Sequence, residues 1–302
     1  MIRHLSLKAY GKINLGLDVL RKREDGYHDV RMIMQTVGIY DRIDLNYQPS
    51  PGIEVETNLY YLPNNENNLV YKAAKLLMDE FGIQSGIKIR LKKFIPVSAG
   101  MAGGSSDAAA VLFGVNKMFG LGLTMQQLME RGVKIGADVP YCIMRGTALS
   151  EGIGEVLTPL PPVPQCQVLI AKPGINVSTK FVYENLHAND LRPDQHPDID
   201  GMIDAIKAGD LYRIAGKFGN VLETVTAREY PVIEELKSII RESGAIGSIM
   251  SGSGPTVFGL FTSPKAAEAA YEALRYGQYS ELAKQVYLTN FYNIKEDRSY
   301  GS

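Results

Sequence analysis

An α+β protein in two domains is what this sequence predicts, and three observations carry that expectation. Strand-like and helix-like segments come in blocks rather than in strict alternation along the 302 residues. The run TPLPPVPQ (158–165) holds four of the fifteen prolines and separates two halves, 1–160 and 161–302. The length suits about two domains, each large enough for its own core.

Each element has a local reason. Residues 3–9 and 13–20 alternate or carry Leu and β-branched residues, and Gly11 interrupts them. The charged run 21–29 turns at Asp25-Gly26, a hairpin signal, and 31–47 reads as further strands. Over 69–81, Leu69, Ala73, Leu76, Leu77 and Phe81 form an apolar stripe at helical spacing, stopped by Gly82. Residues 87–92 alternate strictly, with Ile87, Ile89 and Leu91 on one face and a solvated basic face opposite. A glycine-rich turn then leads into an Ala-rich helix from about Ser105, and Thr124 with Gln127 predicts a capping box for a helix over 125–134. The segment 136–142, GADVPYC, reads as a loop.

In the second half, 167–173 predicts a strand, and 179–187, 199–218 and 230–243 predict helices. Residues 247–261 read as strand, glycine turn, strand. Ser263-Pro264 starts a helix, and 286–291 is a last strand that could return to the first domain. The final residues, KEDRSYGS (295–302), read as a frayed tail.

Composition excludes several classes. Hydrophobic residues at 45% and charged residues at 22% rule out a disordered or collagen-like chain. A formal net charge of -1 argues against nucleic acid held by bulk charge. Cys142 and Cys166 have no metal-ligand spacing and fit a reducing cytoplasm. There is no apolar run of the roughly 18 residues that a membrane span needs, and the N-terminus lacks the pattern of a signal peptide.

Three segments carry candidate chemistry. Gly100–Asp107, GMAGGSSD, lies between a strand and a helix. Helix-start N–H groups attract phosphate, glycines let it approach, Ser105 and Ser106 add hydroxyls, and Asp107 in the first turn favours the helix dipole. Read alone, the segment leaves a phosphate site or a tight connection equally open. It is neither a Walker loop nor a dinucleotide fingerprint, because both Gly-Lys pairs lack a following Ser or Thr and G-x-G-x-x-G is absent. The second segment is SGSGPT (251–256), on its own a plain hairpin. The third is GADVP (136–140): alone, Asp138 reads as a turn former and Lys12 as a solvated lysine, whereas a Lys-Asp pair facing a phosphate could accept a hydroxyl proton and offset phosphate charge.

Together, in order, these segments resemble the GHMP kinase superfamily. Lys12-Ile13-Asn14 matches its first motif, Pro96 to Ser106 its glycine-rich second, and Ser251 to Gly254 its third. Gly26-Tyr27-His28 beside them resembles the branch that acts on a methylerythritol carrying a cytidine diphosphate, in the non-mevalonate route to isoprenoid precursors. The resemblance implies a two-domain fold with the active site in the inter-domain cleft. It also implies transfer of the γ-phosphoryl group of ATP, with Mg²⁺, to a 2-hydroxyl. Asp138 would be the general base, Lys12 its partner, and Asn14 a substrate-orienting amide. Tyr27 and His28 would hold cytosine, with Tyr183 as a second stacking ring (Phe181 is the alternative) and Thr179 as a further substrate contact. Asn68 and Leu69 would hold adenine. Pro96, Gly100, Ala102, Gly103, Gly104, Ser105 and Ser106 would surround the ATP phosphates. No protein ligand is assigned to Mg²⁺, Ser106 being the one candidate contact. Met101 and Ala102 depart from the family's usual Leu and Gly, so Ala102 must keep φ below zero or carry strain. The expected partner is a small molecule bearing a cytidine diphosphate group, with no nucleic acid or membrane, and a homodimer is compatible. The competing readings are a homoserine- or mevalonate-type kinase of the same superfamily, or a non-catalytic nucleotide-binding module.

Overall fold

The computed structural model describes residues 2–293, so the tail at 295–302 lies outside the described residues. The first sheet holds β1 (His4–Lys22), β2 (His28–Gln48), β3 (Gly52–Thr57), β4 (Gly86–Lys92), β5 (Thr147–Glu151), β6 (Val156–Pro159) and the two-residue β8 (Gly219–Asn220). Its main path runs β3-β4-β2-β1-β8, with β5 paired to β2 and to β6. The second sheet is antiparallel, in the order β11 (Gln285–Asn290), β7 (Gln167–Lys172), β10 (Val257–Phe261), β9 (Gly247–Met250).

Four helices accompany the first sheet: α1 (Leu69–Glu80), α2 (Gly103–Phe119), α3 (Met125–Gly132) and α4 (Val139–Met144). Six follow β7: α5 (Thr179–Glu184), α6 (Ile199–Lys207), α7 (Leu211–Gly216), α8 (Glu223–Glu229), α9 (Val232–Glu242) and α10 (Pro264–Arg275). Among the described residues no helix is long and apolar enough to cross a membrane.

Several elements differ from the sequence expectation. Gly11 does not break the first strand. It sits at a register shift between Tyr10 and Lys12, and β1 runs on for 19 residues. The buried face of α1 is Val70, Ala73, Ala74, Leu77 and Met78, about one residue round from the expected stripe, and Phe81 is exposed. The basic face of β4 is not merely solvated: Lys88 and Arg90 pair with Glu54 and Glu56 on β3, an edge strand whose short alternation was not recognised. Residues 139–144 form α4 rather than loop, with Pro140 in its first turn. The span 199–218 splits where Gly209 adopts φ +65° and Asp210 caps α7. The helix α8 was not expected.

The caps follow their residue types. Thr124 and Gln127 form the reciprocal capping box of α3, and the hydroxyl of Ser263 accepts from the N–H of Ala266 to start α10. The core has two parts. One fills the space between the first sheet and α1 and α2, around Leu45, Leu77, Ile89, Val111 and Val115, and continues between the second sheet and α9 and α10, around Leu236, Ile240, Phe261 and Leu274. The other joins the sheets, because Ile13, Leu15 and Ile33 pack in one cluster with Val168, Ile170, Phe258 and Leu260. The last strand pairs with β7, and its end reaches β2 through a bridge between Val37 and Phe291. This shared apolar packing brings the loops of both halves to one cleft.

Candidate active site

The two glycine turns meet in space. At the Gly11 shift, β1 leaves the β2 ladder and the N–H of Lys12 donates to the carbonyl of Met101 at 3.1 Å. That bond draws the loop 94–102 over β1. Gly100 has φ +70°, and a Cβ there would overlap the carbonyl oxygen of Ser251. The Ser251 hydroxyl donates to the Gly100 carbonyl at 2.9 Å and accepts from the Asn14 N–H at 3.3 Å. The 251–256 turn is therefore not a plain hairpin but a buttress under the glycine loop.

Ala102 is the N-cap of α2 and has φ +52°. Of the two alternatives the sequence leaves open, a φ below zero or strain, Ala102 takes the strained, left-handed one. This conformation costs a side-chain-bearing residue about 1–2 kcal/mol. Part of that cost is recoverable: Ala102→Gly should raise stability by up to about 1 kcal/mol, after the larger entropy loss of glycine is set against it. A higher urea midpoint at unchanged slope would show the gain, and an unchanged or lower midpoint would refute it.

A cleft of about 1140 Å³ runs along these loops. Of the expected site residues, Lys12, Asn14, Tyr27, His28, Asn68, Leu69, Pro96, Gly100, Ala102, Gly103, Gly104, Ser105, Asp138, Thr179 and Tyr183 all line it. Ser106 does not. Its hydroxyl donates to the Tyr10 carbonyl at 2.6 Å and its N–H to the Ala102 carbonyl, so both of its donors are spent within the fold rather than on a phosphate. Phe181 does not line the cleft either; of the two aromatics on α5, Tyr183 faces it.

At the centre, the Lys12 ammonium is buried and donates to Asn14 Oδ1 at 2.7 Å and to the Gly100 carbonyl at 3.3 Å. Lys12 and Asp138 form no direct ion pair; they share the cleft instead. Asp138 stands at the start of α4 and makes no capping bond, so its carboxylate is not committed to the backbone. An acceptor free to take a proton, a fixed cation and a row of loop N–H groups suit transfer of an anionic group to an alcohol.

At one end, the His28 and Tyr183 rings lie 5.1 Å apart at 43°. His28 is buried, and its Nε2 has no hydrogen-bond partner. Burial first, and then the charge of Lys22, lower its pKa, so the ring is neutral at neutral pH. Burial pushes the Tyr183 phenol up, and nearby Asp138 adds to the shift. The Thr179 hydroxyl is 2.8 Å from that of Ser253 in the third motif. Tyr27 stands 59% exposed at the rim. A neutral ring with an unmet nitrogen beside a second aromatic fits a planar, hydrogen-bonding base.

At the other end, Asn68 caps α1 by accepting from the Val70 N–H at 3.1 Å, which leaves Leu69 on the cleft wall beside Leu62 and Leu91. Beneath the loop lies a group that sequence reasoning missed. Lys93 donates to Asp107 at 2.7 Å and also pairs with Asp41, and all three side chains are buried. Asp41 further accepts from the N–H groups of Phe94 and Ile95. Asp107 thus ties α2 to β2 and to the residue that follows β4; it lies beyond the first turn of α2, so it is not the dipole complement the sequence suggests, and its Oδ1 is left without a partner. The available signal was Asp41 itself, a carboxylate inside the apolar run of β2.

This chain is similar throughout to proteins of one family. Residues 68–146 match the model of the GHMP kinases N terminal domain, and 187–279 match the GHMP kinases C terminal model. A protein of Lachnoclostridium phytofermentans named 4-diphosphocytidyl-2-C-methyl-D-erythritol kinase is 56% identical over 291 residues, 96% of this chain and 98% of its own. One of the same name from Lachnospira eligens is 58% identical over 285 residues, 94% of this chain and 97% of its own. A crystal structure of 4-(cytidine 5'-diphospho)-2C-methyl-D-erythritol kinase superposes with a TM-score of 0.80 at 31% identity, over 95% of this chain and 99% of the other. The homoserine kinase of Cytophaga hutchinsonii, at 21% identity, shares the fold with a TM-score of 0.78 over 96% of this chain and 95% of its own. With both domain models matched and these relatives spanning nearly its whole length, the chain belongs to the GHMP kinase family and has its two-domain α+β fold.

Proposed function

We propose that the protein transfers the γ-phosphoryl group of ATP to the 2-hydroxyl of 4-diphosphocytidyl-2-C-methyl-D-erythritol, giving the 2-phosphate and ADP. One observation carries the choice of substrate: His28 and Tyr183, whose rings lie 5.1 Å apart, line the same cleft as the glycine loop, Lys12 and Asp138. A homoserine or mevalonate kinase has no use for a base pocket at that place. The high identity to relatives bearing this enzyme's name supports the same reading.

The chain's own residues divide the work. Asp138 takes the proton of the 2-hydroxyl as its oxygen attacks the γ-phosphorus, and the bond to the β-γ bridging oxygen breaks to release ADP. Lys12, oriented by Asn14, offsets the charge on the transferring group. The N–H groups of Gly103, Gly104 and Ser105 at the start of α2 hold the ATP phosphates. Asn68 and Leu69 border the adenine. Tyr27, His28 and Tyr183 hold the cytosine, and Thr179 with Ser253 orients the substrate.

Mg²⁺ belongs to this reading. Such an ion is carried mainly by phosphates and water. When bound, it supplies charge neutralisation at the phosphates. The same reading takes the chain as two domains dividing near residue 160, in the cytoplasm, where its two buried free cysteines suit a reducing medium.

The test is ADP release with Mg-ATP, comparing the cytidylyl substrate with homoserine, mevalonate and galactose. Release with the cytidylyl substrate alone is expected. Release with another alcohol would retain the kinase and discard the base pocket, and none with any would favour a non-catalytic module. His28→Ala should raise KM for the cytidylyl substrate about tenfold, the scale of one hydrogen bond in a dry pocket, and leave KM for ATP near its original value. Equal rises for both substrates would remove His28 from the cytosine site.

A further inference from the structure

The substrate proposed above carries two negatively charged phosphates between its base and its alcohol, and none of the residues given a role so far answers them. Four lysines and no arginine line the cleft among the described residues: Lys12, Lys22, Lys93 and Lys180. Lys12 is committed to Asn14 and the Gly100 carbonyl beside the transferring group. Lys93 is locked between Asp41 and Asp107. Lys180 is paired with Glu184 at 3.7 Å.

Lys22 differs from the other three. It ends β1, paired in register with His28 across the hairpin, and among the described residues its ammonium has neither a hydrogen bond nor an ion pair. Its neighbours are both neutralised. Arg21 pairs with Asp29 at 2.6 Å, and Arg23 pairs with Asp25 at 3.1 Å and with Asp29 at 3.3 Å. The hairpin thus spends both of its arginines on its own turn and leaves one cation unanswered at the mouth of the base pocket. Lys22 is close enough to His28 for its charge to oppose protonation of that ring. It also borders a smaller adjoining cavity of about 250 Å³, together with Tyr183 and Glu184.

We infer that Lys22 holds the diphosphate of the nucleotide-bearing substrate. The inference rests on the cytidylyl reading and deepens it. His28 and Tyr183 identify the base, and Lys22 distinguishes a base that carries phosphates from one that does not. An ammonium suits this role better than a guanidinium fork would, because its three donors rotate and can follow a flexible diphosphate. An uncompensated lysine gains its partner only when substrate binds, so its contribution goes to affinity and selectivity rather than to fold stability.

The test compares binding of CDP and of cytidine by calorimetry, with the nucleotide end saturated by Mg-ADP, in the original protein, Lys22→Ala and Lys22→Arg. In the original protein CDP should bind more tightly than cytidine. In Lys22→Ala, CDP should weaken about fivefold to tenfold while cytidine is unchanged, and Lys22→Arg should recover part of the difference. The gap should also narrow with added salt in the original protein and not in Lys22→Ala. If CDP and cytidine weaken together, or the gap survives in Lys22→Ala, Lys22 does not read the diphosphate. If the gap survives while the protein still phosphorylates the cytidylyl alcohol, this inference alone falls. If neither cytidine nor CDP binds the original protein, the cytidine pocket falls and takes this inference with it.

Discussion

Asp138→Asn should lower kcat by about a hundredfold to ten-thousandfold, the range for loss of a positioned general base. The amide keeps the shape of the carboxyl and cannot accept the hydroxyl proton. Stability should not change, because the Asp138 side chain caps nothing in α4. KM values should stay near those of the original protein, since the loss lies in the transition state and not in ground-state binding. Single-turnover kinetics with the cytidylyl substrate measures the chemical step, and circular dichroism measures the melt. A variant with full activity would remove Asp138 from the chemistry. An inactive variant with a collapsed melting curve would make its role structural.

Lys93→Ala should destabilise the protein by about 3–5 kcal/mol, the usual cost of stranding buried charge. Two carboxylates, Asp41 and Asp107, would face each other without their cation. Burial acts to lower the pKa of Lys93, but Asp107 and Asp41 together outweigh it and the net shift is upward, so the ammonium stays charged. Burial pushes Asp107 well above the usual carboxylate range, with Lys93 opposing and Asp41 adding to the rise. Burial thus biases Asp107 toward its protonated form, against the pull of Lys93. Asp107→Asn copies that form and should cost much less, about 1 kcal/mol. Urea unfolding of the two variants separates the cases: equal losses would show that Asp107 is ionised in the folded protein.

A carboxyl with a raised folded pKa contributes stability at low pH, and that contribution is lost as pH rises through the folded value. Asp107 should thus oppose the usual loss of stability in acid, and Asp107→Asn should remove this opposition.

Most of the elements were readable locally. The alternation of Ile87, Ile89 and Leu91, the Thr124–Gln127 box and the Ser263-Pro264 start are signals contained within a few residues. The readings that failed depended on partners elsewhere. Gly11 looked like an interruption because nothing local shows that Lys12 will bond to Met101, 89 positions on. The basic face of β4 looked solvated because β3 lies far back in the chain. Ser106 looked like a phosphate ligand because its hydroxyl's true acceptor, the Tyr10 carbonyl, belongs to β1.

The candidate site divides in the same way. By itself the sequence determined the chemical kind of each group: an uncommitted carboxylate in a loop, a lysine beside an asparagine, small residues before a helix, a histidine at a hairpin. It also determined their order, which is what the family resemblance reads. Only the tertiary structure decided which of them meet, because a side chain's partners are set by packing across the chain. Packing between distant segments sets Ser251 against Gly100, puts Tyr183 and not Phe181 on the cleft, and buries Lys93 between two aspartates. It also leaves Lys22 as the cleft lysine with no side-chain partner among the described residues, since the neutralisation of Arg21 and Arg23 by Asp25 and Asp29 is a matter of distance that residue types alone do not specify.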